Sequence, residues 1–227
     1  MSTLFGDLSQ QPGFAFPQSL TEQYKPRVLD EFVGLTKQKA ILEKLIAQPR
    51  PCGLLFVGGP GTGKTTMAFA YARAIQAEIH HVPSQDCNLE NLQSISAICH
   101  RVPYDFMTGT PCKWHVVIID EADQMSEAAQ TFLLSRLDGS NQCPATIWIL
   151  TANGDERFKD RFLSRLLKLP KFNSYGAGDD IRALLTRIWK QRTNAEEPDF
   201  ARMATGNVRE ALQALEVELL SVPEVKQ

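Results

Sequence analysis

The sequence predicts an α/β fold in which a five-stranded parallel sheet lies between layers of helices and is followed by a small all-helical domain. Three observations support this prediction. Short apolar runs rich in β-branched residues alternate with stretches of helical periodicity between residues 54 and 169. A glycine-rich loop at residues 58–63 joins the first of these strands to the helix that follows it. Beyond Pro170 only helical periodicity remains.

The individual elements follow from local patterns. A helix over residues 37–47 is predicted by apolar residues at helical spacing, and the proline-rich break at residues 50–53 ends it. Residues 101–113 contain two prolines and a glycine and predict an irregular connection. The predicted strands are Leu54–Val57, Glu78–Val82, His115–Ile119, Ala145–Thr151 and Leu166–Leu169. The other predicted helices are Lys64–Ala77, Leu89–His100, Ser126–Leu137, Asp160–Arg165, Asp179–Arg192, Pro198–Met203 and Asn207–Leu220.

These elements divide the chain into three expected parts. Residues 1–20 are rich in Gly, Pro, Gln and Ser and predict a flexible N-terminal tail. Residues 21–173 form the α/β core, and residues 174–227 form the helical domain. The two domains are joined by a hinge-like segment, Ser174–Gly178, in which small residues predominate.

Composition limits the possible partners. The chain has 43% hydrophobic and 22% charged residues and a net charge of −2, so contact with nucleic acid would need a local basic patch. Its first residues lack a basic region followed by an apolar run, and its apolar runs are too short to cross a bilayer. Five cysteines without tight spacing indicate reduced thiols. We therefore expect a cytoplasmic protein without a membrane partner.

The glycine-rich loop carries the most specific motif. It reads Gly58-Gly59-Pro60-Gly61-Thr62-Gly63-Lys64-Thr65 and fits the pattern G-x-x-x-x-G-K-[ST] between a predicted strand and a predicted helix. Backbone N–H groups of such a loop surround the phosphates of a nucleotide, and the helix N-terminus adds positive charge. Lys64 is predicted to reach the β- and γ-phosphates, Thr65 to bind Mg²⁺, and Thr66 to contact the nucleotide. A phosphate-loop (P-loop) nucleotide-hydrolysing core is therefore predicted.

Two acidic residues follow a buried strand. Asp120 and Glu121 come directly after Val116–Ile119. Beside a phosphate loop, Asp120 is predicted to hold Mg²⁺, and Glu121 to orient and polarise the attacking water. Asn153 ends the next strand at the same edge of the sheet and is predicted to orient the water or the γ-phosphate. An alternative for Asn153 is a simple turn before Gly154.

The order of these motifs resembles that of the AAA+ ATPases, and within them the small subunits of sliding-clamp loaders, such as replication factor C and its bacterial and phage counterparts. The stretch Ile119-Asp120-Glu121-Ala122-Asp123-Gln124-Met125 is similar to the acidic box of clamp loaders. Residues 23–34 resemble the N-terminal segment that packs on adenine, which implies contacts from Tyr24, Val33 and Gly34. Asn153 matches the first sensor.

The resemblance also implies two arginine roles. Ser164-Arg165 is similar to the pair whose arginine completes the ATP site of a neighbouring subunit, and Arg157 and Arg161 lie close enough to be alternatives. Gly206-Asn207-Val208-Arg209 matches the lid motif in which the arginine contacts the γ-phosphate. The implied cofactors are ATP and Mg²⁺. The implied partners are DNA, a sliding clamp or another replication or recombination protein, and further AAA+ subunits in a homo- or hetero-oligomer.

The chain departs from the pattern of the family in three places. It stops where the lid should end, so the helical collar that fastens family members into a ring is expected to be missing. Leu166 stands where a cysteine normally follows the serine-arginine pair. Pro83 stands at the end of the second strand, where the family has a polar residue that couples DNA binding to the catalytic glutamate. DNA-gated hydrolysis is therefore not implied.

Other interpretations stay open. An ATP-switched loader or adaptor of helicases or transposases would recruit protein partners without loading a clamp. A ring translocase, such as a branch-migration motor, would be expected to carry an additional DNA-binding domain. Cys112-x-x-His115 has the spacing of zinc ligands, but no second tight pair accompanies it, so structural thiols are favoured. Ten Lys/Arg against three Asp over residues 157–192 predict either a nucleic-acid contact or a solvated basic face.

Overall fold

The structure, a computed structural model, describes residues 18–105, 109–139, 141–173, 177–204 and 207–222. Its strands are β1 Cys52–Val57, β2 Glu78–Val82, β3 Tyr104–Asp105, β4 Thr110–Pro111, β5 His115–Ile119, β6 Thr146–Ala152 and β7 Leu166–Lys168. Its α-helices are α1 Leu20–Gln23, α2 Thr36–Ala47, α3 Lys64–Ala74, α4 Leu89–Ile98, α5 Glu127–Leu137, α6 Asp160–Leu163, α7 Gly178–Arg192, α8 Phe200–Met203 and α9 Val208–Ser221.

The predicted five-stranded parallel sheet is confirmed. Its strand order is β2-β5-β6-β1-β7, and every neighbouring pair is parallel. The strands β5, β6 and β1 are adjacent, so the residues that follow them lie side by side at the carboxyl edge. These residues are Asp120, Asn153 and Gly58, which the sequence assigns to the site. The sheet therefore brings together three motifs that are far apart in sequence.

Both faces of the sheet are buried. In β1 the side chains alternate, so that Leu55 and Val57 belong to one apolar cluster and Leu54 and Phe56 to the other. Helices α4 and α5 cover the first face, whereas α2 and α3 cover the second. This burial on both sides explains why the three central strands, β5, β6 and β1, are largely apolar without polar alternation, whereas the edge strand β2 is partly exposed and contains Glu78, His80 and His81.

Polar side chains fix the N-termini of several helices. Ser126 accepts a hydrogen bond from the backbone of Ala129 at the start of α5, and Asn88 accepts one from Asn91 at the start of α4. Asn207 does the same for α9. Each cap satisfies a backbone N–H that has no partner within the helix, which is worth about 1 kcal/mol per cap.

The C-terminal helices pack around a separate apolar core. Ile181, Leu185 and Ile188 of α7 bury their side chains against Leu212 and Leu215 of α9. The predicted helical domain is thus present in the described part of residues 177–222. The hinge-like segment predicted before it lies outside the described residues at positions 174–176, as does most of the predicted tail.

Two short elements differ from the predicted organisation. Residues 20–24, which the sequence assigns to the tail and to the start of the core, pack on the helical domain: Leu20 is buried there, and its backbone N–H donates to Glu216 Oε1 at 3.3 Å. The stretch predicted as irregular contains the antiparallel pair β3–β4. Elements of two to four residues are too short to produce a recognisable periodicity, so the sequence does not reveal them.

Candidate functional site

The loop between β1 and α3 depends on its glycines. A Cβ atom at Gly58 would lie 2.2 Å from the carbonyl oxygen of Phe172, so this position has no room for a side chain. Gly61 and Gly63 have φ angles of +72° and +89°, a left-handed conformation that costs other residues free energy. This backbone conformation is the one predicted from the phosphate-loop motif.

Lys64 begins α3 and turns its ammonium group back into the loop. Its Nζ atom donates to the carbonyl oxygens of Gly58 at 2.8 Å and Gly59 at 2.9 Å, and to Asn153 Oδ1 at 3.3 Å. Burial lowers the pKa of Lys64, and nearby carboxylates, first that of Asp120, oppose this shift. Its three donors are used on neutral oxygen atoms, so its positive charge is available to an anion in the loop.

Asp120 is held by hydroxyl groups from two other elements. Its Oδ1 atom accepts from Thr65 Oγ1 at 2.6 Å and from Thr151 Oγ1 at 2.5 Å. The hydroxyl oxygen of Thr151 also accepts from the backbone N–H of Glu121 at 3.1 Å. The end of β5 is therefore tied to β6 and to the start of α3 by one carboxylate and two hydroxyls.

Glu121 has an unusual backbone conformation. Its φ angle is +50°, and its side chain is exposed at the carboxyl edge of the sheet. A left-handed conformation is unfavourable for a residue with a side chain, and such residues cluster at functional sites. The turn therefore leaves the carboxylate of Glu121 exposed to solvent at this edge of the sheet.

Asn153 lies next to the loop lysine. Its side-chain oxygen accepts the hydrogen bond from Lys64 described above, and its backbone N–H donates to Asp123 Oδ1 at 3.4 Å. The side chain is exposed, and the residue belongs to the turn after β6. Asn153 is therefore in direct contact with Lys64, although it does not line the cleft.

A cleft of about 1010 Å³ opens between the core and the C-terminal helices. The predicted site residues that line it come from the N-terminal segment, the loop, the end of β5 and the start of α9: Tyr24, Val33, Gly61, Thr62, Gly63, Thr65, Thr66, Asp120 and Arg209. Gly34 is not among the lining residues; it has a φ angle of +63°, and a Cβ atom there would lie 3.0 Å from Ala177 Cβ. The volume suits a nucleotide-sized ligand.

The C-terminal helices touch the loop directly. Asn207 Nδ2 donates to the carbonyl oxygen of Pro60 at 3.3 Å, and a Cβ atom at Gly61 would lie 2.5 Å from Asn207 Oδ1. Two residues later, the exposed Arg209 lines the cleft. Gly206, the first residue of the predicted lid motif, lies outside the described residues.

Arg165 lies outside this cleft. It is exposed, and its Nε atom donates to Asp138 Oδ1 at 2.5 Å in an ion pair between partly exposed side chains. Surface pairs of this kind are weak, about 0–1 kcal/mol, so the guanidinium group can be released at little cost. Arg165 does not complete the site of its own chain, and its role toward a second subunit stays a prediction.

Sequence reasoning missed three residues of the site. Thr151 is buried and orients Asp120 and Glu121, yet in the sequence it is one threonine within an apolar strand. Phe32 and Arg187 line the cleft from the N-terminal segment and from α7. Phe32 lies within the segment that resembles an adenine-packing stretch, and it is buried in the apolar cluster under α2 and α3. The position of Arg187 depends on the packing of the C-terminal helices, for which the sequence contains no local signal.

The basic segment 157–192 is less positive than its sequence indicates. Five of its ten basic residues lie within 4 Å of acidic groups in the described residues. Four of these acidic partners lie outside the segment, so the local excess of seven positive charges is reduced to three. The five ion pairs are Lys159–Glu127, Arg165–Asp138, Lys168–Asp155, Arg182–Asp179 and Lys190–Glu197.

The cysteines show no sign of nucleophilic chemistry. Burial raises the pKa of Cys52 and Cys87 to about 11 and that of Cys99 to about 12. These thiols are therefore protonated near neutral pH, and all five cysteines are free. In addition, no helix among the described residues is long and apolar enough to cross a membrane.

Comparison with known proteins identifies the family. Residues 54–173, more than half of the chain, match the family described as "ATPase family associated with various cellular activities (AAA)". The chain belongs to this family. The match spans the phosphate loop, the acidic end of β5 and Asn153.

Curated relatives include small subunits of replication factor C. The chain is 37% identical over 147 residues to replication factor C small subunit 1 of Pyrobaculum arsenaticum, which covers 63% of this chain and 44% of the relative. It is 30% identical over 212 residues to replication factor C small subunit 2 of Pyrobaculum islandicum, which covers 90% of this chain and 64% of the relative. This chain thus spans 44% of the length of the first relative and 64% of the length of the second.

The fold also matches solved structures. The RuvB Holliday junction branch migration motor of Thermotoga maritima aligns with a TM-score of 0.65 at 21% identity, over 85% of this chain and 64% of that one. A K64R mutant of the same RuvB aligns with a TM-score of 0.66 over 86% of this chain. At such low identity the similarity establishes the fold alone.

Proposed function

We propose that this AAA protein binds ATP with Mg²⁺ in the cleft and hydrolyses it. The observation that carries the proposal is the contact between Thr65 and Asp120 at 2.6 Å, beside an ammonium group that is held by the loop itself. A hydroxyl and a carboxylate are hard oxygen ligands of the kind that Mg²⁺ prefers. The adjacent loop offers backbone N–H groups and a helix N-terminus to phosphates.

Each residue has a distinct role in this proposal. Thr65 and Asp120 hold Mg²⁺, which neutralises charge on the phosphate oxygens when it is bound. Lys64 neutralises the β- and γ-phosphates. Glu121 polarises a water molecule for in-line attack on the γ-phosphorus, and Asn153 orients that water or the phosphate.

Other residues of the cleft would contact the adenine and the γ-phosphate. Tyr24, Val33 and the adjacent Gly34 shape the adenine side, where the N-terminal segment meets the C-terminal helices. Arg209, at the first turn of α9, contacts the γ-phosphate from the lid side. Since Asn207 already touches the loop at Pro60, binding of a γ-phosphate draws Arg209 inward without a large movement of α9.

Two substitutions separate binding from turnover. Lys64→Ala removes the phosphate contact, so ATP affinity should fall by about 10–100-fold. Glu121→Gln keeps the cradle but cannot polarise water, so ATP affinity should stay near that of the wild type while turnover falls by at least about 100-fold. Calorimetry measures the affinity, and phosphate release measures the turnover.

Matched controls are Lys113→Ala and Glu90→Gln, at two exposed residues that do not line the cleft. Both should bind and hydrolyse ATP like the wild type. Wild-type turnover in Glu121→Gln would rule out the polarisation of water by Glu121. Wild-type ATP affinity in Lys64→Ala would rule out a contact between Lys64 and the phosphates.

We further infer that the protein acts on DNA in replication or repair as a clamp-loader-like subunit. The support is the similarity to a replication factor C small subunit over 90% of this chain. At the end of β2, where the family has a polar switch residue, Pro83 directly follows Val82, and Ser84 and Gln85 come after it. The rival role is an ATP-switched loader or adaptor that recruits proteins.

The ATPase rate distinguishes these roles. A clamp-loader-like subunit, assembled with its partner subunits, should hydrolyse ATP faster with primed DNA and a sliding clamp than with either alone. Stimulation by DNA alone would favour a translocase instead. A rate that none of these additions changes would overturn the clamp-loader proposal and favour the adaptor role.

Direct DNA contact is expected through the basic residues that have no acidic partner among the described side chains. Arg161 and Lys171 are exposed and belong to this group, unlike Lys159, Lys168 and Lys190. Such a contact would weaken steeply with salt, because counterions are released from the phosphates on binding. The reduced local charge excess limits this surface to a small number of phosphates.

We also propose that Arg165 completes the ATP site of a neighbouring subunit. A mixture of Arg165→Ala and Lys64→Ala subunits should hydrolyse ATP faster than either variant alone, since one supplies an intact pocket and the other an intact arginine. An arginine provided in this way is worth about 10³–10⁵ in rate in related phosphoryl-transfer systems. Phosphate release from the mixture provides the measurement.

The neighbouring Arg161→Ala serves as the matched control. Since it keeps both its pocket and Arg165, it should be active without mixing. If the Arg165→Ala mixture stays inactive although size measurements show that the two variants co-assemble, Arg165 is not the shared residue. Recovery that depends on Arg161 instead would move the role to that arginine.

A further inference from the structure

A second cluster of reactive side chains lies at the amino edge of the sheet, where β2 and β5 begin. His80, Cys99 and His115 each place one possible metal-ligand atom so that all three atoms lie within 4.8 Å of one another. The carboxylate of Glu78 lies outside this group of three but next to the two histidines, with Oε1 at 3.7 Å from His80 Nε2 and Oε2 at 3.3 Å from His115 Nδ1. None of these residues takes part in the proposed nucleotide chemistry.

The parallel pairing of β2 with β5 produces this cluster. Glu78 lies opposite His115 in the register, and His80 is two residues along the same strand, so Glu78 and His80 share one face of the sheet. Cys99 follows the last turn of α4. Asp120 is five residues of extended chain from His115, about 16 Å away, so this cluster is separate from the nucleotide cleft.

The distances suit tetrahedral coordination. Zn²⁺ bonds of about 2.0–2.1 Å to nitrogen and 2.3 Å to sulfur give ligand separations of about 3.3 Å between two nitrogens and about 3.6 Å between nitrogen and sulfur. His80 Nε2 and His115 Nδ1 are 3.1 Å apart. The Cys99 sulfur, within 4.8 Å of both, reaches the ideal separation through a movement of about 1 Å.

Hydrogen bonds already orient two of the groups. His115 Nε2 lies 3.0 Å from the carbonyl oxygen of Arg101, which can only accept, so the proton is on Nε2 and the lone pair of Nδ1 faces the cluster, where it accepts from His80 Nε2 when no metal is bound. Glu78 Oε2 accepts from the backbone N–H of Tyr104 at 2.7 Å, which leaves Oε1 available. Histidine ligands of metals are typically oriented by a carbonyl or carboxylate in this way.

Burial and charge favour a divalent cation in this position. His115 and Cys99 are fully buried, and the side chains of His80 and Glu78 are each only 13% exposed. A metal replaces the proton of the Cys99 thiol. One divalent cation, one thiolate, one carboxylate and two neutral imidazoles sum to zero charge, so the site avoids an unpaired buried charge.

We propose that His80, Cys99 and His115 bind one Zn²⁺, with the carboxylate of Glu78 in the fourth position. Imidazole and thiolate ligands select zinc over magnesium or calcium. Four protein ligands leave no position for a substrate, so this zinc is structural. It joins the edge strand β2 to β5 and to the end of α4, and it stabilises the side of the core that lies away from the nucleotide.

The test uses the full chain without a histidine tag, after metal removal by a chelator and in the absence of nucleotide. Titration with Zn²⁺ should give one equivalent per chain by elemental analysis and should raise the Tm by about 5–10 °C at a hundredfold excess over the Kd. Co²⁺ in its place should give the visible absorption of a tetrahedral site and a thiolate-to-cobalt band in the near ultraviolet.

Neighbouring residues supply matched controls. His80→Gln should abolish stoichiometric zinc binding, whereas His81→Gln, on the exposed side of the same strand, should retain it. Cys99→Ser should remove the thiolate-to-cobalt band, whereas Cys87→Ser, which is also buried, should keep it. Glu78→Gln should weaken zinc binding about 10–100-fold.

The outcomes are distinct from those for the ATP site. His80→Gln should bind ATP like the wild type, because the two sites are at opposite edges of the sheet. If Cys99→Ser fails to fold, the partly exposed His80 still provides the comparison with His81. Zinc retained in His80→Gln, or less than one equivalent in the wild type, would overturn the proposal and leave a cluster held by hydrogen bonds alone.

Discussion

The carboxylate of Asp120 is the constraint on which the rest of the site depends. It accepts hydrogen bonds from Thr65 on α3 and from Thr151 on β6, while its own strand lies between β2 and β6. Three elements distant in sequence therefore meet at one side chain. The same threonine of β6 also accepts from the backbone N–H of Glu121, so Asp120 and Glu121 are positioned by one hydrogen-bond network.

Parts of the fold and site could be predicted because their signals are local. The phosphate loop is a contiguous motif, and buried parallel strands are apolar runs with recognisable ends. Thr151 could not be predicted, because its contact with Asp120 follows from the register that places Ile119 opposite Leu150. The attachment of residues 20–24 to the helical domain likewise has no local signal, since four helical residues show no periodicity.

Charge was the least predictable property for the same reason. Four of the ten basic residues of 157–192 pair with acids at the two ends of α5, on the turn after β6 and after α7, which a count along the segment does not include. His80 and His115 are 35 positions apart, and only the pairing of β2 with β5 brings their rings to 3.1 Å. The sheet thus has the proposed nucleotide site at its carboxyl edge and the cluster of His80, Cys99 and His115 at its amino edge.

The central claim is that Asp120, oriented by Thr151, is a Mg²⁺ ligand in the ATP complex. The Mg²⁺ concentration that half-saturates ATP binding tests it most directly, measured by calorimetry in the wild type, Thr151→Val and Thr151→Ser. Removal of a group that orients a metal ligand typically costs 10–100-fold in metal affinity. Thr151→Val should therefore need at least about tenfold more Mg²⁺ than the wild type, whereas Thr151→Ser, which keeps the hydroxyl, should restore most of the affinity. Equal Mg²⁺ requirements in all three proteins would contradict the claim.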